Sequence, residues 1–472
     1  MLAGAVATFA LIPEVIAFSF AAGVDPQVGL FASFVIGIVI AFAGGRPAMI
    51  SAAAGSVALV AAPLVHAHGL PYLLAAGLLA GALQVVFGLL RLGVLMRFVS
   101  KSVRTGFVNA LAILIFSAQV PQMLGVTWHS YAMIGLGLAI IYLLPRVTTA
   151  IPSPLICILV LTAACVVLRL PVRTVADLGH LPDGLPILAW PAVPLTVETL
   201  RIIAGPALAI AMVGLLESLM TASVVDDLTD TTSRKNRECA GLGLANMASS
   251  LFGGIAGCGM IGQTVSNVKY GARGRLSTLF AGALLLILMV LLKPWVSRVP
   301  VAALVAIMVM VSVDTFDWSS LRTVVAHPKM SSMVMLATVV VTVATSNLAL
   351  GVTVGVLLSG VFFTSKVAGL LDVEGGGDAM SGTWNYRVSG QVFFASADLF
   401  VDAFDVREPG TGARVVIDVS GAHFWDVTAV AALDKVVQRY RAHGITVELS
   451  GVNQASSTLI GRLDKSAALG GA

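Results

Sequence analysis

The sequence predicts a polytopic α-helical membrane protein of 14 spans, arranged as a 7+7 inverted repeat with two half-helices and followed by a small α/β domain. Composition is the first ground: of 472 residues, 58% are hydrophobic and only 11% charged, whereas a soluble protein carries about 25% charged residues. The mean hydropathy of +0.96 agrees. The second ground is a pair of glycine-rich stretches, "GGRPAMISAAAGS" from Gly44 and "GGIAGCGMIGQTVS" from Gly253, which interrupt the apolar sequence in corresponding places. The third is a step in charge density near Lys366–Gly377. The first 370 residues hold 20 basic and 12 acidic groups, and the last 102 hold 8 and 12. That step marks a domain boundary: residues 1–370 as membrane domain, 371–383 as linker and 384–472 as a soluble domain.

A bilayer core needs about 20 apolar residues in helical form. Such segments run near 3–20, 27–43, 71–90, 104–124, 131–145, 153–170, 205–224, 238–252, 276–292, 299–313, 330–346 and 348–366. One short helix after each glycine stretch completes the 14, seven per half. Segments 131–145 and 299–313 are short for a span. The chain runs into its first span without a charged leader, so no cleavable signal peptide is expected, and a start upstream of Met1 is compatible with the sequence. Cys157, Cys165, Cys239 and Cys258 lie in or beside apolar segments without metal-ligand spacing and read as free thiols.

Orientation follows from Lys and Arg in the loops. With the N-terminus inside, the inner loops collect 14 basic residues, among them Lys101, Arg104, Arg234 and Arg275, and the outer loops collect 5. An even span count then puts the C-terminal domain in the cytoplasm, and the membrane is the cytoplasmic (inner) one. The basic pI of about 8.9 comes from these loops, so it is no sign of a nucleic-acid partner.

The halves begin alike. "LIPEVIAFSFAAGVD" carries Glu14 and then Asp25; "GLLESLMTASVVDD" carries Glu217 and then Asp226 and Asp227. Each is followed by one more span and a double glycine. An odd number of spans per repeat turns the second copy over, the architecture of secondary transporters. Backbone leaves helical form at membrane depth only where protein or a water-filled cavity covers it. A helix that starts there offers free N–H groups and the positive end of its dipole. Two such ends facing each other make an anion site from backbone, where glycine and alanine permit close approach.

"DPQVGLFASFVIGIVIAFAGGRPAMIS", "GLLESLMTA" and "LGLANMASSLFGGIAGCGMIGQTVSNVKYGARGRLS" resemble the SulP anion transporters, which include sulfate, bicarbonate and dicarboxylate carriers and the motor protein prestin. The resemblance implies a seven-plus-seven inverted repeat with core and gate domains, a substrate held between the third and tenth helices, a homodimer and a cytoplasmic STAS domain. Carried over, the substrate-binding residues are Ala54, Gly55 and Ser56, with Gly259, Met260, Ile261 and Gly262. "ESLMT" resembles an acidic motif that helps bind sodium in some bicarbonate carriers, here Glu217 and Thr221, four apart on one helical face. Ala54 and Ile261 stand where some relatives carry hydroxyls. Gly262 or Gln263 stands where prestin-like members carry a basic residue.

With no fixed cation at that position, Glu217 becomes informative, since an intramembrane carboxylate is costly and marks function by default. Bare, it would repel an anion; carrying a proton or facing Na+, it would couple anion entry to cation entry. The expectation is therefore symport through Glu217, with H+ or Na+ as the coupling ion and no other cofactor. Glu14 is the counterpart in the first half, either a site-lining or proton-handling group or one held in a structural bond; the structural alternative for Glu217 is a carboxylate bonded to neighbouring backbone. Arg46 could lend positive potential or snorkel to the interface. The alternatives are an uncoupled anion exchanger or channel, or a dicarboxylate carrier, regulated through the STAS domain. A nucleobase carrier expects polar side chains where "GCGMIGQ" offers only Gln263. The absence of a nucleophile–base or metal-ligand set argues against an enzyme.

In the tail, apolar runs at 392–394, 414–419 and 445–449 alternate with helical patterns near 397–405 and 428–443, an α/β pattern. "DVSGAHFWDVTA" resembles the STAS signature. The resemblance places Thr428 where anti-sigma-factor antagonists carry a phosphorylatable serine and Asp426 on their nearby acidic position, a regulatory pair. Thr428 as the cap of the following helix is the simpler expectation. A cytoplasmic protein is a possible partner of this domain, beside the anion, the bilayer and a second copy of the chain.

Overall fold

The computed structural model describes the chain apart from residues 1, 95–98, 149–152, 178–184, 292, 327–328, 379–382, 408–413 and 453–472. It divides into two compact units, Met1–Val356 and Leu357–Ala472.

The first half comprises α1 (Leu2–Ala21), α2 (Pro26–Ala43), strand β1 (Ser51–Ala53), α3 (Gly55–His68), α4 (Leu70–Leu89), α5 (Lys101–Met123), α6 (Trp128–Leu143) and α7 (Ser153–Leu168). The second comprises α8 (Val197–Thr229), α9 (Lys235–Leu251), strand β2 (Gly257–Gly259), α10 (Ile261–Lys269), α11 (Arg275–Leu291), α12 (Lys293–Val296), α13 (Val301–Thr315), α14 (Ser319–Ala326), α15 (Lys329–Thr345) and α16 (Leu348–Ala368). Every expected span is a helix, including the two short ones. Among the described residues, seven helices are long and apolar enough to cross a bilayer and five shorter ones are apolar.

Local chemistry sets the boundaries. Pro26 opens α2, where its missing N–H costs nothing. Ser100 caps α5 by accepting from Val103 N, and Thr196 caps α8 by accepting from Thr199 N. The cap carries α8 to 33 residues, well beyond its apolar stretch. Charged residues at its ends lower hydropathy without opposing helix.

Two groups of helices pack separately. α4 lies on α8 and α9, α2 on α9 and α11, and α1 on α2, α10 and α11, forming one body. α5 packs on α13 and α15, and α6 on α7 and α13, forming another. α1 meets α13 and α7, and α3 meets α5, across the boundary between them. Small residues allow close packing inside the first body: a Cβ on Gly88 of α4 would come within 2.6 Å of Ala240 N on α9.

The second unit contains strands β3 (Asp372–Asp378), β4 (Thr383–Val392), β5 (Arg414–Phe424) and β6 (Thr446–Ser450), with α17 (Ala397–Asp402) and α18 (Val427–Ala442). The sheet order is β3-β4-β5-β6; β3 and β4 are antiparallel and the other pairs parallel. Tyr386, Phe400, Ile417, Leu433 and Tyr440 fill its core. Two expectations are corrected. Most of the glycine-rich linker is β3, because Gly375 and Gly377 let the Tyr386 and Trp384 rings of β4 lie across the strand, aromatic cover for its glycines. Of the run at 392–394 only Val392 belongs to a strand, the last residue of β4; Phe393 and Phe394 lie in the turn that follows, where Ser396 Oγ accepts from Phe393 N.

Candidate functional site

Both glycine stretches leave helical form and meet. β1 and β2 pair antiparallel, Ser51 opposite Gly259, Ala52 opposite Cys258 and Ala53 opposite Gly257, all fully buried. The ribbon requires glycine at the start of β2, since a Cβ on Gly257 would overlap the Ala52 carbonyl. α3 and α10 start where the ribbon ends. Their N-caps, Ala54 and Met260, make no side-chain capping bond, so the leading N–H groups of both helices are left for a ligand.

Those two helix ends line one cavity of ≈ 400 Å³ with Glu14 and Phe18 of α1, Phe107 and Leu111 of α5, Glu217 of α8, and Asp314 of α13. Of the expected substrate residues, Gly55, Ser56, Met260, Ile261 and Gly262 line it. Ala54 and Gly259 sit one residue behind, in fully buried backbone. A Cβ at Gly262 would meet nothing within 4 Å, so the space before the α10 end is open. None of the described lining residues is basic, and three are carboxylic acids.

Glu217 joins the halves. Its Oε2 accepts from Ser56 Oγ and from Cys258 Sγ, the latter at 3.0 Å. Thr221, one turn on, donates its hydroxyl to the carbonyls of Glu217 at 2.8 Å and Gly259 at 3.0 Å. Thr221 thus ties α8 to β2 and does not line the cavity. Glu14 lines the cavity as expected and interacts with the side chain of Gln263.

Arg46 is turned away from the cavity. Its guanidinium pairs with Asp226 at 3.1 Å and donates to Thr229 Oγ1 at 2.6 Å, fixing the first break to the end of α8. A second cavity of ≈ 280 Å³ is lined by Lys101, Arg104, Thr105 and Val108 of α5 and by Ser223 and Asp227 of α8. Val108 borders both cavities. The α5 residues at 101, 104, 105, 108, 111 and 115 recur at helical spacing, so one face of α5 walls both spaces.

Two residues escaped sequence reasoning. Cys258 reads locally as one more buried thiol. Asp314 stands exposed at the end of α13, one residue past the expected span, and the rule that singled out Glu217 would have found it. In the second unit, Asp426 rather than Thr428 caps α18, accepting from Ala429 N at 2.8 Å. Thr428 is exposed one residue inside the helix start. Asp426 also accepts from Phe394 N, so it fixes the turn after β4 as well as the helix start.

Two helical bodies around a central cavity, with broken helices meeting at its floor, define a multi-pass membrane transporter. Residues 1–136 and 127–338 match the sulfate permease family and residues 380–467 the STAS domain. The chain belongs to the sulfate permease family, whose members are transporters of sulfate- and bicarbonate-type anions, and carries a C-terminal STAS domain. It is 53% identical to the putative sulfate transporter YbaR of Bacillus subtilis, over 98% of this chain and 95% of that one. The solved transmembrane domain of a cyanobacterium bicarbonate transporter, BicA, is similar with a TM-score of 0.66 and 27% identity, covering 74% of this chain and 95% of that one. The murine Slc26a9 anion transporter in its inward-facing state shares the fold, with a TM-score of 0.84 at 17% identity over 98% of this chain and 86% of that one.

Proposed function

We propose that this protein is a secondary active transporter that moves a small inorganic anion, of the sulfate or bicarbonate class, across the cytoplasmic membrane together with H+ or Na+ bound at Glu217. One observation carries the reading: two uncapped helix ends face a cavity whose charged lining residues are all acidic. Helix N-termini attract an anion, while Glu14, Glu217 and Asp314, when ionised, repel it. A cation entering with the anion removes that repulsion, and the free energy of one gradient then acts on the other. Gly55, Ser56, Ile261 and Gly262 hold the anion by backbone, and Glu217 holds the cation. The halves α1–α7 and α8–α16 are inverted copies, the Lys101 end of α5 faces the cytoplasm, and the STAS domain lies on that side. The working form is a homodimer.

The test is uptake of radiolabelled sulfate, bicarbonate and dicarboxylate into proteoliposomes, with sodium and proton gradients imposed separately. Glu217→Gln keeps the shape of the side chain and removes its charge. Gradient-driven accumulation is expected to fall by about 5- to 150-fold, the span of a coupling of about 1–3 kcal/mol. Unchanged accumulation by the variant, still driven by the gradient, overturns the coupling.

A further inference from the structure

Glu217 has two oxygens in different situations. Oε2 takes both side-chain hydrogen bonds, from Ser56 of α3 and from Cys258 of β2. Oε1 accepts none from the described residues and is not sealed off from solvent, and the residue lines the cavity while only 8% exposed. Cys258 itself is fully buried and outside the cavity lining. Its Sγ lies 3.0 Å from Oε2 and 3.7 Å from Ser56 Oγ, which makes a three-membered cluster drawn from both halves and the helix between them.

We propose that Cys258 is a positioning residue for the coupling carboxylate: its thiol and the Ser56 hydroxyl pin Oε2, so that Oε1 is presented to the cavity as the oxygen that meets the cation. This rests on the cation-coupled reading given above. A buried cysteine more often behaves as a small hydrophobe. Here the thiol proton has an acceptor within reach, and the ribbon leaves Cys258 no freedom to choose another. Its place opposite Ala52 is fixed by the pairing register, and register decides which side a ribbon side chain takes. A carboxylate held by one oxygen cannot spin to offer the other, which fixes where a proton or sodium ion sits relative to the α3 and α10 ends. The titratable groups that share the cavity with Glu217 are Glu14 of α1 and Asp314 of α13, whereas Cys258 sits on the strand β2.

The experiment measures anion uptake by the full chain in proteoliposomes as a function of sodium at fixed pH and of pH at fixed sodium, for the unmodified protein, Cys258→Ala and Cys258→Ser. The alanine variant is expected to shift the half-maximal concentration of the driving cation by about 3- to 10-fold, in line with loss of one modest hydrogen bond to a charged group. The half-maximal anion concentration at saturating cation stays put. Serine restores a donor and returns the cation response toward that of the unmodified protein. A purely structural role for Cys258 lowers the amount of active protein and leaves both concentrations alone. Cation-driven uptake with the same cation response in Cys258→Ala overturns the role of Cys258 and leaves the coupling intact. Cation-independent uptake by the unmodified protein overturns the coupling and this inference together. If the alanine variant does not fold, Cys258→Val, which fills the space without a donor, decides: the same cation response as the unmodified protein there also overturns the proposal.

Discussion

The two breaks do the same work with different chemistry. Where the first leaves α2, ionisable side chains hold it. Glu238 of α9 accepts from Gly45 N at 2.6 Å and Arg46 N at 3.0 Å. Arg275 donates to the carbonyls of Ala41 and Gly44 at 3.0 and 2.7 Å, and Arg237 to that of Phe42 at 2.9 Å. The second break, after α9, is held by neutral groups. Asn246 accepts from Gly257 N at 2.8 Å and donates to its carbonyl at 3.1 Å, Ser249 donates to Ile255 O at 2.7 Å, and Ser218 accepts from Gly259 N at 2.8 Å. The backbones differ too: the first break turns through Ala48 at φ 64°, the second through Gly253 at φ 76°. The clamp of ionisable groups lies at the end of α9 that starts with Lys235 and Arg237, where basic residues gather. At the second break amides and hydroxyls satisfy the backbone groups without burying a charge. A shared task constrains the backbone far more than it constrains the side chains that hold it.

Three substitutions break or sharpen that contrast, in falling order of effect. Gly257→Ala strikes what both breaks share, since the added carbon overlaps the Ala52 carbonyl and also crowds Ile36 Cδ1 at 2.9 Å. No monodisperse protein is expected on size-exclusion chromatography of detergent extracts; a normal yield would mean that the ribbon can open by a carbon's width. Glu238→Ala strikes the charged clamp alone. Glu238 is fully buried, and its loss strands two backbone donors at about 1–3 kcal/mol each. Thermal unfolding in detergent should show a clear fall in Tm, and an unchanged Tm would assign the hold on this break to the arginines. Ala48→Gly acts in the other direction. An alanine in the left-handed region costs roughly 1–2 kcal/mol, so glycine should raise Tm slightly and make the first break resemble the second.

Much of this was legible in the sequence, and what was not shares a cause. Glycine pairs inside apolar runs identify breaks because no other local pattern needs them, and the helices fall where hydropathy puts them. Glu14 and Glu217 stand out because a carboxylate within a span is costly. What the sequence does not show are partners distant along the chain. The resemblance implies Ser56 as a substrate residue, and the structure adds that its hydroxyl goes to Glu217, 161 positions away. Arg46 lies beside the break in sequence, but its partner Asp226 comes from the other half. Cys258 and Glu238 acquire roles only when the breaks cross, which no local window contains. In the STAS domain, "VEGGGD" reads as linker because glycines carry no strand propensity; only the Trp384 and Tyr386 rings make it a strand. Thr428 was expected to cap its helix because threonine is a good cap, whereas Asp426, two residues earlier, occupies that position.

The three-residue ribbon has one more effect, on the lengths that sequence change can explore. Adding or removing one residue in either β1 or β2 would move every later residue to the opposite side, turning Cys258 from Glu217 and displacing one helix end relative to the other. The two unwound segments are therefore locked in length to each other although about two hundred positions separate them. Insertions and deletions in proteins that keep this site belong in the connections outside the crossing, such as those flanking α6 or joining α7 to α8.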